Sequence, residues 1–236
     1  MAERPIFIPK PASRELVEEV SLQLTWHPGF AAVQKEKNIK ALHEAAAFAG
    51  YRNILEVSTK SANKRGRHLS AFHMKVKTRR LGEIPLECAF QGSKVFERGG
   101  PFVDLYEAEA TETKKDPRLK ESGLLVAFEF EGVRWPLEPK TAFYDWLYAR
   151  SVFPHRKWAT KLFAYGGFSD IEFNPFHSIN CQARSIALFL SLLKRGQLNE
   201  AVQSPSSFVQ VLTDSDYRPQ LRADDFASQT LFATKP

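Results

Sequence analysis

Residues Pro85 to Phe96 read PLECAFQGSKVF. The run has the composition of a helix, and spacings of four and three place Glu87, Gln91 and Lys94 on one stripe of a 3.6-residue repeat. At 100° per residue Leu86 and Phe90 fall on one side of that stripe and Cys88 and Val95 on the other, with Phe96 behind. Such a helix is expected to be buried nearly all round. A carboxylate, an amide and an amine in a core are costly unless paired, hydrogen-bonded or opened to a cleft. The stripe therefore either braces a core helix through a Glu87–Lys94 ion pair or faces a pocket.

The surrounding chain narrows the choice. At 236 residues it can bury a proper core in one domain, and 43% hydrophobic with 25% charged residues is the balance of a globular protein. No apolar run approaches a membrane span, and the start MAERPIFIPKP lacks the basic and apolar regions of a signal peptide, so a cytoplasmic protein without a membrane partner is expected. Cys88 and Cys181 lie far apart in apolar neighbourhoods and are expected to be buried and reduced. The six His residues show no metal-ligand spacing, so neither metal nor cofactor is expected.

The net charge of +6 is localised: Ser58 to Gly82 carries eight Lys and Arg and no acid, while the remainder is slightly acidic. In KSANKRGRHLSAFHMKVKTRR, Phe72 interrupts the cations, a pattern suited to a phosphate backbone. The alternative is a solvated loop without a ligand.

Elsewhere FAAVQKEKNIKALHEAAAFAG spaces Phe30, Val33, Ile39 and Leu42 as a helix ending before Gly50. NILEVST suggests a short strand, followed by the basic loop and an extended piece LSAFHMKVK. Residues 99–123 suggest short surface helices, and LLVAFEFEGVRW a strand and hairpin turning at Gly132. Helices are expected about Lys140–Phe153 and Arg156–Tyr165. A last strong one, SINCQARSIALFLSLLKRG, would be capped by Ser178 and ended by Gly196. This divides the chain into a main domain over 1–196, with an N-terminal strand and helix extension, and a helical or loosely ordered tail over 197–236.

Before the last helix, SDIEFNPFHSIN gathers acids and amides on a loop leading to a helix N-terminus, which suits phosphate or carboxylate. Asp170, Glu172, Asn174, Asn180 and Arg184 belong to this group, though acids and amides also cap helices for stability alone. No Walker A loop, GxGxxG or GxSxG occurs. Carboxylates, lysines and a basic surface remain, a set suited to glycosidic cleavage by acid catalysis or by a lysine of lowered pKa acting as a Schiff base.

These residues carry a resemblance. LSAFHM followed by LECAFQGSKVF resembles the SNF and EHYFQAxKF signatures of the NADAR family, and DIEFNPFHSINCQA, Asp170 to Ala183, is similar to its DxxWG stretch and later NxxG. The longer words PGFAAVQKEKNIKALHEAA, LECAFQGSKVFERGGPFVDLY and WPLEPKTAFYDWLY resemble the branch of NADAR antitoxins encoded beside DarT toxins, over about residues 3 to 196. Ala71, Cys88 and Phe173 stand where the wider family has Asn, His and Trp.

The resemblance implies a helix-dominated α+β single domain with a few short strands. It implies an antitoxin hydrolase that removes ADP-ribose from guanine in DNA and reverses a DarT-type toxin, with ADP-ribosylated DNA and that toxin as partners. Glu87, Phe90, Gln91, Lys94, Asp170 and Asn180 match family motif residues, Ser70 and Phe72 match the ends of the SNF word, and Trp135 stands for the middle tryptophan. Glu87, on an apolar helix, is expected to hold a proton, while Asp170, on a loop, is expected to stay ionised. Lys60 and Phe72 would meet the strand, and Asn180 and Arg184 the diphosphate. Gln34, Lys35 and Asn38 share a helix face beside Lys37, and either Lys35 or Lys94 could supply the Schiff base. Two rivals remain: an antitoxin that binds DNA or toxin without catalysis, and an N-glycosidase acting on phosphorylated ribosylamines.

Overall fold

A computed structural model describes residues 1–219. The chain opens with a long antiparallel hairpin, β1 (Ala2–Lys10) and β2 (Leu16–Leu24), followed by α1 (Ala32–Phe48) and the short β3 (Ile54–Glu56). Next come α2 (Lys64–His68), a hairpin of β4 (Lys75–Lys77) and β5 (Glu83–Pro85), α3 (Leu86–Gly92) and β6 (Lys94–Phe96). A 3-10 turn over Val103–Glu107 precedes α4 (Ala110–Thr113) and α5 (Arg118–Glu121). Strands β7 (Leu125–Phe130) and β8 (Val133–Trp135) lead into α6 (Ala142–Val152) and α7 (Arg156–Ala159). The described chain ends with β9 (Gly167–Ser169), α8 (Gln182–Arg195), α9 (Leu198–Ala201) and α10 (Pro205–Thr213).

One sheet runs β2-β1-β9-β3, antiparallel except for the parallel β9/β3 pair, and alternation along β1 gives it two covered faces. Ile6 packs with Leu22, Leu24 and, from α1, Leu42 and Ala46, while Phe7 turns into the main core with Phe168 and α8. A second sheet, β6-β7-β8, backs onto α6 through a stack of Phe90, Phe128, Phe143, Trp135 and Trp146. At Glu131 (φ 53°) and Gly132 (φ 77°) a two-residue turn with both φ positive joins β7 to β8, the turn that matches strand twist. The α+β fold is as the sequence led one to expect.

Several elements differ from their sequence reading. The opening helix stops at Gly92, and Lys94–Phe96 is a strand paired with β7. A side chain at Gly92 would strike the Tyr106 ring and the Phe102 carbonyl within 2.8 Å, so the chain turns there around a packed ring. The basic stretch contains a helix, α2, whose N-terminus Asn63 caps by accepting from the Arg65 N–H at 2.9 Å, and only Lys75–Lys77 of LSAFHMKVK is extended. Phe30 and Val33 are exposed, so the apolar stripe of α1 begins at Ile39. Helix α8 starts at Gln182 after Cys181, not at Ser178, and ends on Gly196 in the left-handed region as expected. Helices α9 and α10 pack against α8 and α6. Of the C-terminal run read from Ser215 to Pro236, residues 220–236 lie outside the described part. Among the described residues no helix is long and apolar enough to cross a membrane.

Candidate active site

Helix α3 is buried along its whole length. It presents Glu87, Phe90 and Gln91 to a cavity of about 500 Å³, a size suited to a nucleotide-sized ligand. Lys94, from the first position of β6, reaches the same space, because the pleat sends its side chain back beside the helix. The remaining walls are Lys114 and Lys120 of the α4 and α5 segment, the 136–144 stretch leading into α6, and His177 to Asn180 before α8.

Within the cavity the polar groups are locked to one another. The Gln91 amide donates Nε2–H to Glu87 Oε1 at 2.8 Å. The ion pair of Glu87 is formed with Lys114, at 3.4 Å, a residue 27 positions along the chain that the sequence did not flag. Gln91 Oε1 is buried without a hydrogen-bond partner, a state rare enough in folded proteins to point to a donor supplied from outside. The Lys94 ammonium stands 5.0 Å from the centre of the Phe90 ring. Burial lowers its pKa to about 8; Glu87 opposes that shift and the Lys114 charge adds to it. Phe72, half-buried within the basic stretch, carries the Lys114 ammonium 4.9 Å above its ring. The cation-rich segment thus touches the cavity through Phe72 and Lys114.

Asp170 follows β9 and is buried at 6% exposure. Burial and the neighbouring carboxylate of Glu56 push its carboxyl well above the usual range, an upward shift that the expectation of an ordinary loop acid did not include. Glu56 is fixed by donors: the Ile171 N–H at 2.9 Å and the Ser169 hydroxyl at 2.6 Å. An acid closing the apolar strand word NILE is the sequence signal that marks Glu56. Asp170 is absent from the cavity lining, but Glu87 and Asp170 are both near enough to Tyr144, which does line it, to act on its phenol electrostatically. Burial, Glu87 and Asp170 together raise the Tyr144 phenol well above its ordinary value.

Other expected residues lie apart from this centre. Arg184 is 2% exposed, donating to Glu19 Oε2 at 2.7 Å and to the Ile179 carbonyl at 2.6 Å, so it braces β2 against the start of α8 instead of offering itself to a diphosphate. Asn38 is fully buried and clamps the His27 backbone, accepting from its N–H at 2.7 Å and donating to its carbonyl at 2.9 Å. Trp135 is fully buried between Phe143 and Trp146. Ser70 is also fully buried and turns the chain after α2, its Oγ accepting from the Phe72 N–H at 3.4 Å. Lys35 pairs with Glu172 at 2.9 Å, away from the cavity lining, and Lys37 is exposed. Lys60 is exposed at the bend after β3, and Asn174 accepts from the Phe176 N–H within its own turn. Of the loop before α8, Asn180 lines the cavity.

The fold and cavity together define a single α+β domain with a carboxylate, amide and lysine gathered at one candidate ligand site. Residues 2–221 match the model of the DarT1-associated NADAR antitoxin family, and the chain belongs to that family. Among curated proteins none matches. The family gives the chain an antitoxin role in association with a DarT1 toxin.

Proposed function

We propose that the protein removes ADP-ribose from guanine bases of DNA by hydrolysing the N-glycosidic bond, undoing the modification made by the associated toxin. The observation that carries this reading is the convergence of Glu87, Gln91 and Lys94 on a nucleotide-sized cavity that the cation-rich stretch reaches through Phe72 and Lys114. The leaving group is a base nitrogen and departs only with a proton, while the ribose C1 becomes cationic as the bond breaks. Glu87 in the cavity wall steadies that charge. Asp170, whose burial keeps its proton to higher pH, is the proton donor, passing it to the departing base through an intervening water because it does not itself line the cavity. The orphaned Gln91 oxygen takes a hydrogen bond from a ribose hydroxyl.

Two routes use these groups. In one, water adds to C1 directly. In the other, the neutral Lys94 amine adds to C1 as the base leaves with a proton, and water then hydrolyses the sugar–lysine adduct. With a pKa of about 8, roughly a tenth of Lys94 is neutral at pH 7. Lys35, ion-paired with Glu172, is the weaker candidate for that role. The test is incubation of the purified protein with an oligonucleotide carrying ADP-ribose on a guanine. Release of free ADP-ribose and restored guanine supports the hydrolase. Toxin neutralisation without release would make it a binding antitoxin, and turnover of phosphorylated ribosylamines alone would move it to metabolite chemistry.

A further inference from the structure

The cavity wall over 136–141 ends on Thr141, whose φ is +67°. A β-branched residue in the left-handed region is a genuine outlier, and such backbone persists only where its surroundings over-determine it. Here the surroundings are one carboxylate. Thr141 Oγ1–H donates to Asp145 Oδ2 at 2.6 Å, one turn into α6. The same Oδ2 accepts from the Tyr217 hydroxyl at 3.0 Å, and Oδ1 accepts from Ser185 of α8 at 2.5 Å. Asp145 and Tyr217 are 2% and 3% exposed, and neither lines the cavity.

Tyr217 is itself fixed in place. Its own N–H donates to Ser215 Oγ at 3.2 Å, while the next residue back, Asp216, accepts from Arg14 at 2.8 Å and donates its N–H to the Arg14 carbonyl at 2.9 Å. The segment after α10 is thereby tied to the β1–β2 turn on one side and to Asp145 on the other. The family match extends to residue 221, so this segment lies within the family's span.

We propose that Asp145 and Tyr217 are positioning residues that hold Thr141, and with it the 136–141 wall carrying Glu138 and Lys140, in the shape the cavity needs. The chain beyond α10 thus completes the site from outside it. The kinetic part of the test rests on the hydrolase reading, and the exchange part does not.

The experiment compares wild type, Tyr217→Phe, Thr141→Val and Thr141→Ser by amide hydrogen exchange of residues 136–142 and by KM and kcat for ADP-ribose release from a modified oligonucleotide. Tyr217→Phe and Thr141→Val should speed exchange of 136–142 by about ten-fold while leaving α8 protected. They should raise KM by about five-fold with kcat within about two-fold, as expected for a displaced binding wall. Thr141→Ser, which keeps the hydroxyl, should behave as wild type. Unchanged exchange and KM in Tyr217→Phe, or faster exchange spread equally over the whole chain, would overturn the proposal. A wild type that releases nothing would refute the hydrolase reading, and the exchange of 136–142 alone would then decide for or against the clamp.

Discussion

Lys94 is a single residue at odds with stability. Its pKa is lowered from 10.5 to about 8 by burial, so below pH 8 the folded state carries a poorly solvated ammonium, at a cost of about 3 kcal/mol relative to the unfolded chain. Between pH 8 and 10.5 the unfolded chain binds more protons at this position than the folded one, so the cost fades as pH rises. Lys94→Met is therefore expected to stabilise the protein at pH 7 by up to that amount, an advantage that shrinks by pH 10 in urea unfolding. The same variant should lose activity if the amine adds to C1. In the wild type the rate should then climb as pH rises through about 8. A pH-independent rate between 6.5 and 9 would leave Lys94 a binding residue.

At the scale of elements, the hydrophobic pattern located most helices, because α6 and α8 earn their place by core burial that period and length reveal. It overextended α3, because the stop at Gly92 depends on Tyr106 and Phe102 packing from a turn ten and more residues away. The stripe of Glu87, Gln91 and Lys94 nevertheless converged on one cavity, since a strand begun two residues after the helix delivers Lys94 to the same side. Partner choice was not legible: Lys114 for Glu87 and Glu19 for Arg184 are set by tertiary contacts across 27 and 165 residues. Arg184 tests the corrected assignment. Arg184→Ala takes the guanidinium away from the buried Glu19 carboxylate, so it should destabilise the fold by about 3–5 kcal/mol in denaturant unfolding. Any folded fraction should keep the KM of the wild type. A stable variant with a greatly raised KM would return Arg184 to the substrate.

For the whole molecule, the cation-rich stretch is the feature with most reach. Lys75 and Lys77 stand exposed on one face of β4 with Val76 buried between them, and Lys60 and Lys64 are exposed nearby in sequence. A single strand drawn along this surface would release counterions, so DNA affinity should fall steeply with salt, by a slope of about 0.7 for each phosphate neutralised. Lys75→Gln with Lys77→Gln should lower that slope by about one to one and a half in a fluorescence-anisotropy salt series, without altering the release rate at saturating DNA. An unchanged slope would make the stretch a solvated surface. Charge localisation was readable because it needs no tertiary knowledge. The path from these cations to Glu87, by Phe72 and Lys114, was not, because it joins two segments that only the fold brings together.

In the proposed reaction the cavity built on α3 breaks the bond between ADP-ribose and guanine. Single-turnover release of ADP-ribose from a modified oligonucleotide, measured for the wild type beside Glu87→Ala shown by circular dichroism to be folded, tests it directly. Release by the wild type is expected, with a loss of at least about 100-fold in Glu87→Ala, the scale of one electrostatic stabiliser removed. Equal release by both proteins, or none by either while the toxin is still neutralised, would contradict it.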